Sequence, residues 1–223
     1  PSEEGARTIY VKPIADETQL AYYEWVHNNI KKVNEMSNGQ IGYIHIPDMS
    51  TVGLDEFTKL FYTQLDKKAL IIDDRMNGGG NVSPMIIERL QREVYRMNMY
   101  RNGSEGLATI PESTHHGPKV CLVDKYSSSD GDLFPYGFQK LGIGPLIGTR
   151  TWGGIVGISG SKPYVDGQDV RTPFFTSYST DGKWILENEG VTPDIYVDIN
   201  PFEDYLGNDA QLKKAVEVLL EQI

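Results

Sequence analysis

Two stretches of this chain carry residue types that could do chemistry together. The first is Asn77-Gly78-Gly79-Gly80, four residues after the apolar run Leu70-Ile71-Ile72. The second is Ser127-Ser128-Ser129-Asp130-Gly131, three residues after Val120-Cys121-Leu122-Val123. Each puts small residues where a buried strand should end and a helix begin, the edge at which open α/β sheets bind ligands. Free N–H groups at a helix start favour negative charge, and glycine lets a substrate backbone approach closely. Together the two corners could supply a serine nucleophile and the backbone donors of an oxyanion hole.

Each corner alone has a plainer reading. A glycine run is commonly a flexible turn. A phosphate cradle is disfavoured because no Gly-Lys-Ser/Thr tail follows. The serine stretch also reads as a helix cap, and it lacks the Gly-x-Ser-x-Gly elbow of α/β-hydrolases. A serine nucleophile normally needs a base. The four histidines are His27, His45, His115 and His116. His27 falls in a helix and His45 between Ile44 and Ile46 on a strand. His115 and His116 fall in a polar loop from which one could swing over Ser129. No Cys, Asp or Glu cluster joins the His pair, so no metal site is expected, and no cofactor.

The elements that must hold these corners follow from periodicity. Leu20, Tyr23, Val26, Ile30 and Val33 predict a helix over 17–36, capped by Asp16 and stopped at Gly39. Strands are expected at Ile9–Ile14 (an edge), Ile41–Ile46, Ala69–Asp73, Lys119–Asp124 and Leu146–Gly148. Helices are expected at Leu54–Leu65, Pro84–Tyr95, Leu133–Leu141 and Gln211–Ile223, with a long loop over Asn98–Pro118 and a β-rich part over Thr151–Asp198. Buried strands alternating with helices predict an α/β fold with a mainly parallel sheet. One domain over 1–223 is the simplest division, with 1–15 read as a linker.

The 223 residues include 31 acidic and 21 basic side chains, a net charge of −10. Such a chain is a poor partner for nucleic acid or anionic lipid. No run of 18 apolar residues offers a membrane span. The single cysteine, Cys121, excludes an internal disulfide. The chain opens at Pro1 without a leader pattern and is read as a piece of a longer protein.

Several ordered motifs together resemble the catalytic domain of the tricorn-type, tail-specific (C-terminal processing) serine peptidases. They are Gly42-Tyr43-Ile44-His45-Ile46-Pro47-Asp48-Met49, the glycine run, Ser129-Asp130-Gly131-Asp132, Ile147-Gly148-Thr149-Arg150-Thr151-Trp152-Gly153-Gly154 and Glu187-Asn188-Glu189-Gly190-Val191-Thr192-Pro193-Asp194. The resemblance implies a ClpP/crotonase-like fold of stacked β-β-α units and peptide-bond hydrolysis. It implies Ser129 as nucleophile, the Asp130 N–H as one oxyanion donor, and Gly80 as the other with Gly79 a close rival beside the substrate. It implies Glu187 as the acid of a Ser-His-Ser-Glu tetrad whose His and second Ser lie upstream, so that this fragment alone would be inactive. It further implies a peptide or unfolded-protein substrate, a cytoplasmic setting with a periplasmic one as the alternative, and a homo-oligomer in the full-length protein. The segment 96–101 carries no acid before Glu105, which puts a trypsin-like preference in doubt. The rival readings are a crotonase-type thioester enzyme and a non-catalytic binding domain. The peptidase reading demands that Ser129, Gly80, Asp130 and Glu187 share one cleft.

Overall fold

The computed structural model describes residues 5–101, 108–159 and 163–223. The elements run α1 (Thr18–Met36), β1 (Ile41–His45), α2 (Thr51–Tyr62), β2 (Ala69–Asp73), α3 (Ser83–Leu90), β3 (Arg96–Asn98), β4 (Ala108–Ile110), β5 (Lys119–Val123), α4 (Asp130–Lys140), β6 (Leu146–Gly148), β7 (Gly157–Ser159), β8 (Thr172–Phe175), β9 (Ile195–Tyr196), α5 (Pro201–Tyr205) and α6 (Ala210–Leu220). The main sheet has the order β1-β2-β5-β6-β9 and every pairing in it is parallel.

Parallel strands in an α/β fold are buried on both faces, which is why β1, β2 and β5 are apolar almost throughout. Alternate side chains feed two cores. Ile44, Leu70, Ile72, Cys121 and Leu146 pack with Phe57 and Phe61 of α2, Ile86 of α3, and Phe134 and Phe138 of α4. Tyr43, Ala69, Ile71, Val120 and Leu122 pack with Val26 and Val33 of α1 and with Leu212, Ala215, Val216 and Leu219 of α6. The crossover helices α2, α3 and α4 therefore share one face of the sheet. Because β2 pairs directly with β5, with Asp73 beside Leu122, the corners that follow those two strands become neighbours.

Several elements differ from the sequence expectation. Helix α2 begins at Thr51 because Ser50 Oγ accepts from the Val52 N–H, a cap that a search for apolar spacing overlooks. At the start of α1, Asp16 Oδ1 accepts from the Thr18 N–H, although Glu17 occupies the cap position. Leu20 is solvent-exposed, so the packed stripe of α1 starts later than its spacing suggested. Helix α3 stops at Leu90, short of the expected Tyr95, and β3 then pairs antiparallel with β4, which lies inside the stretch read as a loop. Glu105 lies outside the described residues. Residues 9–14 form no strand, and Ile9, Tyr10, Val11 and Ile14 are exposed. The short helix α5, started by Asn200 accepting from the Phe202 and Glu203 N–H groups, had no apolar periodicity to reveal it.

A buried ionic knot locks α6 to the exit of β2. Arg75 meets Asp73 at 2.6 Å and Asp209, the cap of α6, at 2.8 Å. Tyr43 Oη also donates to Asp73 Oδ2 at 2.6 Å. Burial opposes ionisation of Asp73, but the Arg75 guanidinium outweighs it and holds the carboxyl below its ordinary value.

His115 is buried against the start of β2, with its Nε2 2.9 Å from the Lys67 carbonyl. Burial, helped by Lys119, lowers its pKa to about 4. The unfolded chain takes up this proton near pH 6.5, whereas the folded chain resists it until about pH 4. This group therefore favours folding above the upper value, and that stability is lost as pH falls between the two. A urea midpoint followed from pH 7 to 4.5 is expected to fall less steeply in His115→Gln than in the parent. The difference between the two proteins isolates His115 from Asp74 and Asp132, whose raised values act with opposite sign. Parallel pH profiles would remove His115 as the cause.

Candidate active site

Ser129 sits at the N-cap of α4 with φ 57° and ψ −120°. A non-glycine residue at positive φ costs about 1–3 kcal/mol and needs support from its surroundings. The support is explicit. The Ser129 N–H donates to the Gly154 carbonyl at 3.1 Å, and the Ser129 carbonyl accepts from Asp132 and Leu133. Ser127 Oγ donates to the Asp74 carbonyl at 2.8 Å, and the Ser128 N–H to the Asn77 carbonyl at 2.9 Å. The serine bend is thus stitched to the glycine corner.

The two corners touch. A methyl group added at Gly79 would stand 2.6 Å from Ser129 Cβ and 3.1 Å from the Asp130 nitrogen. The Asp130 carboxylate takes no part in the cleft. It accepts from the Ser83 N–H at 3.0 Å and from Ser83 Oγ, joining the start of α4 to the start of α3.

Two N–H groups remain open here. Asp130 is the first residue of α4, and such a residue has no partner within its own helix. Among the described residues neither the Asp130 N–H nor the Gly80 N–H has an acceptor. The Gly79 N–H is different, since it donates to Asn77 Oδ1 at 2.9 Å. This separates the two rival glycines: Gly80 keeps its donor free and Gly79 does not.

Glu187 reaches the same cleft from a turn in which Leu186 and Asn188 both have φ 64°. Its Oε2 accepts from the Ile155 N–H at 2.8 Å and the Val156 N–H at 3.0 Å. The strip 154–156 therefore runs between Ser129, bonded to Gly154, and Glu187, bonded to the next two residues. Asp132 braces the strip's start, its Oδ1 accepting from the Gly153 N–H at 2.8 Å. Burial pushes the Asp132 carboxyl above its ordinary value.

Gly78, Gly79, Gly80, Ser129 and Glu187 all line one cleft of about 800 Å³, a size suited to several residues of an extended ligand. Its walls include Trp152, Ile158, Arg171 and Phe175. Both rings lie close over glycines, Trp152 over Gly154 and Phe175 over Gly157. The sequence reading gave these wall residues no role. An aromatic residue two positions before a glycine, as in Trp152 to Gly154, was the available hint.

None of the four histidines lines this cleft. His115 is tied to the opposite end of the sheet. His45 is buried, with Nδ1 3.0 Å from Tyr22 Oη and Nε2 3.1 Å from the Arg75 carbonyl, and burial lowers its pKa. A swing of His115 onto Ser129 would have to break the Lys67 contact. Among the described residues no helix is long and apolar enough to cross a membrane.

Comparison with known proteins agrees with this architecture. Over 217 residues the chain is 39% identical to tricorn protease of Thermoplasma acidophilum, covering 97% of this chain and 20% of that protein. It is 41% identical over 218 residues to a putative tricorn-like protease C-terminal subunit of Sulfurisphaera tokodaii, covering 97% of this chain and 25% of that one. It superposes on the crystal structure of tricorn protease with a TM-score of 0.88 and 39% identity, over 96% of this chain and 21% of that one. The chain thus spans about a fifth to a quarter of the length of these relatives. The model of peptidase family S41 matches residues 40–197, which hold both corners and Glu187, and the chain belongs to that family.

Proposed function

We propose that this chain is the nucleophile-bearing domain of a serine endopeptidase acting on peptides or unfolded protein segments. Ser129 Oγ attacks the scissile carbonyl carbon, and the carbonyl oxygen, now an alkoxide, accepts from the Gly80 and Asp130 N–H groups. The leaving amine takes the proton removed from Ser129, and water then hydrolyses the acyl-serine. The observation that carries this reading is the pair of unspent N–H groups beside a serine held at positive φ. Such donors act where charge develops, and losing one costs about 10²- to 10³-fold in rate.

The base comes from residues of the full-length protein outside this sequence, in keeping with a cleft that no described histidine lines. Glu187, fixed by two N–H groups, is suited to orient a hydroxyl that in turn orients that base. On this division of labour the fragment by itself turns over little or no peptide. Among the described cleft residues Arg171 is the only cation and Glu187 the only carboxylate. This part of the cleft therefore offers basic side chains of a substrate no unengaged carboxylate.

The test is covalent labelling of the full-length protein with a peptidyl phosphonate. A single adduct on the peptide containing Ser129, blocked by competing peptide substrate, is expected. An adduct confined to another serine would end the assignment.

A further inference from the structure

Asn77 does more than precede the glycines. It is fully buried, and all its polar side-chain atoms are engaged. Nδ2 donates to the Ile46 carbonyl at 3.0 Å and to Asp74 Oδ1 at 2.9 Å. Oδ1 accepts from the Gly79 N–H at 2.9 Å. Its backbone carbonyl accepts from the Ser128 N–H at 2.9 Å. One residue thereby joins the exits of β1 and β2, the glycine run and the serine bend.

The geometric consequence falls on the peptide between Gly79 and Gly80. The Gly79 carbonyl accepts from the Met49 N–H at 2.8 Å. In a trans peptide the carbonyl and the following N–H point in opposite directions. With the Gly79 carbonyl turned to Met49, the Gly80 N–H is turned away from it. Asn77 holds the other side of Gly79 by its N–H. Both ends of that residue are fixed, so the peptide plane has little freedom to flip.

We propose that Asn77 is a positioning residue for the oxyanion hole, withdrawing the Gly79 N–H so that the Gly80 N–H is the one presented to the reacting oxygen, and that Asp74 holds the Asn77 carboxamide in register. This rests on the peptidase reading above. Asp74 is fully buried, and burial with Asp73, Asp124 and Asp132 nearby pushes its carboxyl well above the ordinary range. Its Oδ2 has no partner among the described residues, so Oδ1 alone binds the carboxamide. An asparagine at 74 keeps that acceptor, whereas a valine removes it.

The experiment uses the full-length protein and a peptide aldehyde, whose hemiacetal oxygen stands in for the alkoxide. Asn77→Ala is expected to lower kcat about 10²-fold with KM within twofold, and to weaken aldehyde inhibition by the same factor. Asp74→Val is expected to lose about tenfold in kcat, and Asp74→Asn to restore it. Wild-type kcat and aldehyde affinity in Asn77→Ala, with only the melting temperature reduced, would overturn the proposal. If Asn77→Ala does not fold, the Asp74 pair and the crystal structure of the wild-type aldehyde adduct decide. An oxygen bonded to Gly80 and Asp130 supports the proposal, and one bonded to the Gly79 N–H refutes it. An active, Ser129-dependent enzyme indifferent to Asn77 defeats this inference alone. A wild-type protein without Ser129-dependent turnover defeats the peptidase reading, and this inference with it.

Discussion

Ser129→Ala in the full-length protein is expected to reduce peptide hydrolysis by about 10⁶-fold in kcat, with almost no change in stability. The two halves of this expectation have separate causes. The hydroxyl is the attacking atom in the proposed reaction, and removing a nucleophile leaves only the oxyanion hole and substrate binding to act on water. The same hydroxyl makes no hydrogen bond among the described residues, while the backbone of residue 129 carries the contacts to Gly154, Asp132 and Leu133. Alanine keeps those contacts, so the unfolding free energy should move by no more than about 0.5 kcal/mol. Initial rates on a fluorogenic peptide, paired with a thermal melt, measure both. Retained turnover of a thioester substrate in the variant would favour a crotonase-type enzyme instead.

The second large effect is expected at Gly80. A methyl group there would sit 1.9 Å from the Met49 carbonyl oxygen and 2.2 Å from its carbon. Both are backbone atoms, so no rotamer change can relieve the overlap. The φ of 152° adds strain for any L side chain. The alternative is to separate the chain at the Met49–Gly80 bridge, which gives up the Met49 to Gly79 and Asn81 to Met49 hydrogen bonds of 2.8 and 2.7 Å. Gly80→Ala is therefore expected to lose more than about 4 kcal/mol, or not to accumulate as folded protein. Gly142→Ala is the control. It has φ 66° but open space around its Cβ, and should lose only about 1–2 kcal/mol. Urea unfolding of the two variants side by side checks this. Equal losses would mean that backbone conformation, not the close approach to Met49, makes glycine necessary at 80.

Much of the scaffold was legible beforehand because it is written in local patterns. The apolar runs ending in Asp73 and Val123 announced buried parallel strands, and the small residues after them announced the corners. Helix α1 showed most of its packed stripe by spacing. Failures came where the signal was not apolar. Helix α2 starts at a hydroxyl cap, and β3 and β4 are short, largely solvated strands whose pairing holds them in place. Resemblance named Ser129, Asp130, Gly80 and Glu187 and required them to share one cleft, but gave none of the hydrogen bonds that hold them there.

By itself, then, the order of residue types determined the α/β alternation and the two bends, and resemblance supplied the members of a candidate site. Tertiary structure alone decided that β2 lies beside β5, which brings the bends into contact across an intervening helix and hairpin. It alone decided that Gly80 rather than Gly79 keeps an open N–H, and that no histidine of this chain reaches the cleft. The reason is physical. Hydrophobic periodicity and turn chemistry act within a few residues, whereas strand neighbours and the direction of a peptide dipole are set by hydrogen bonds between segments far apart in the chain.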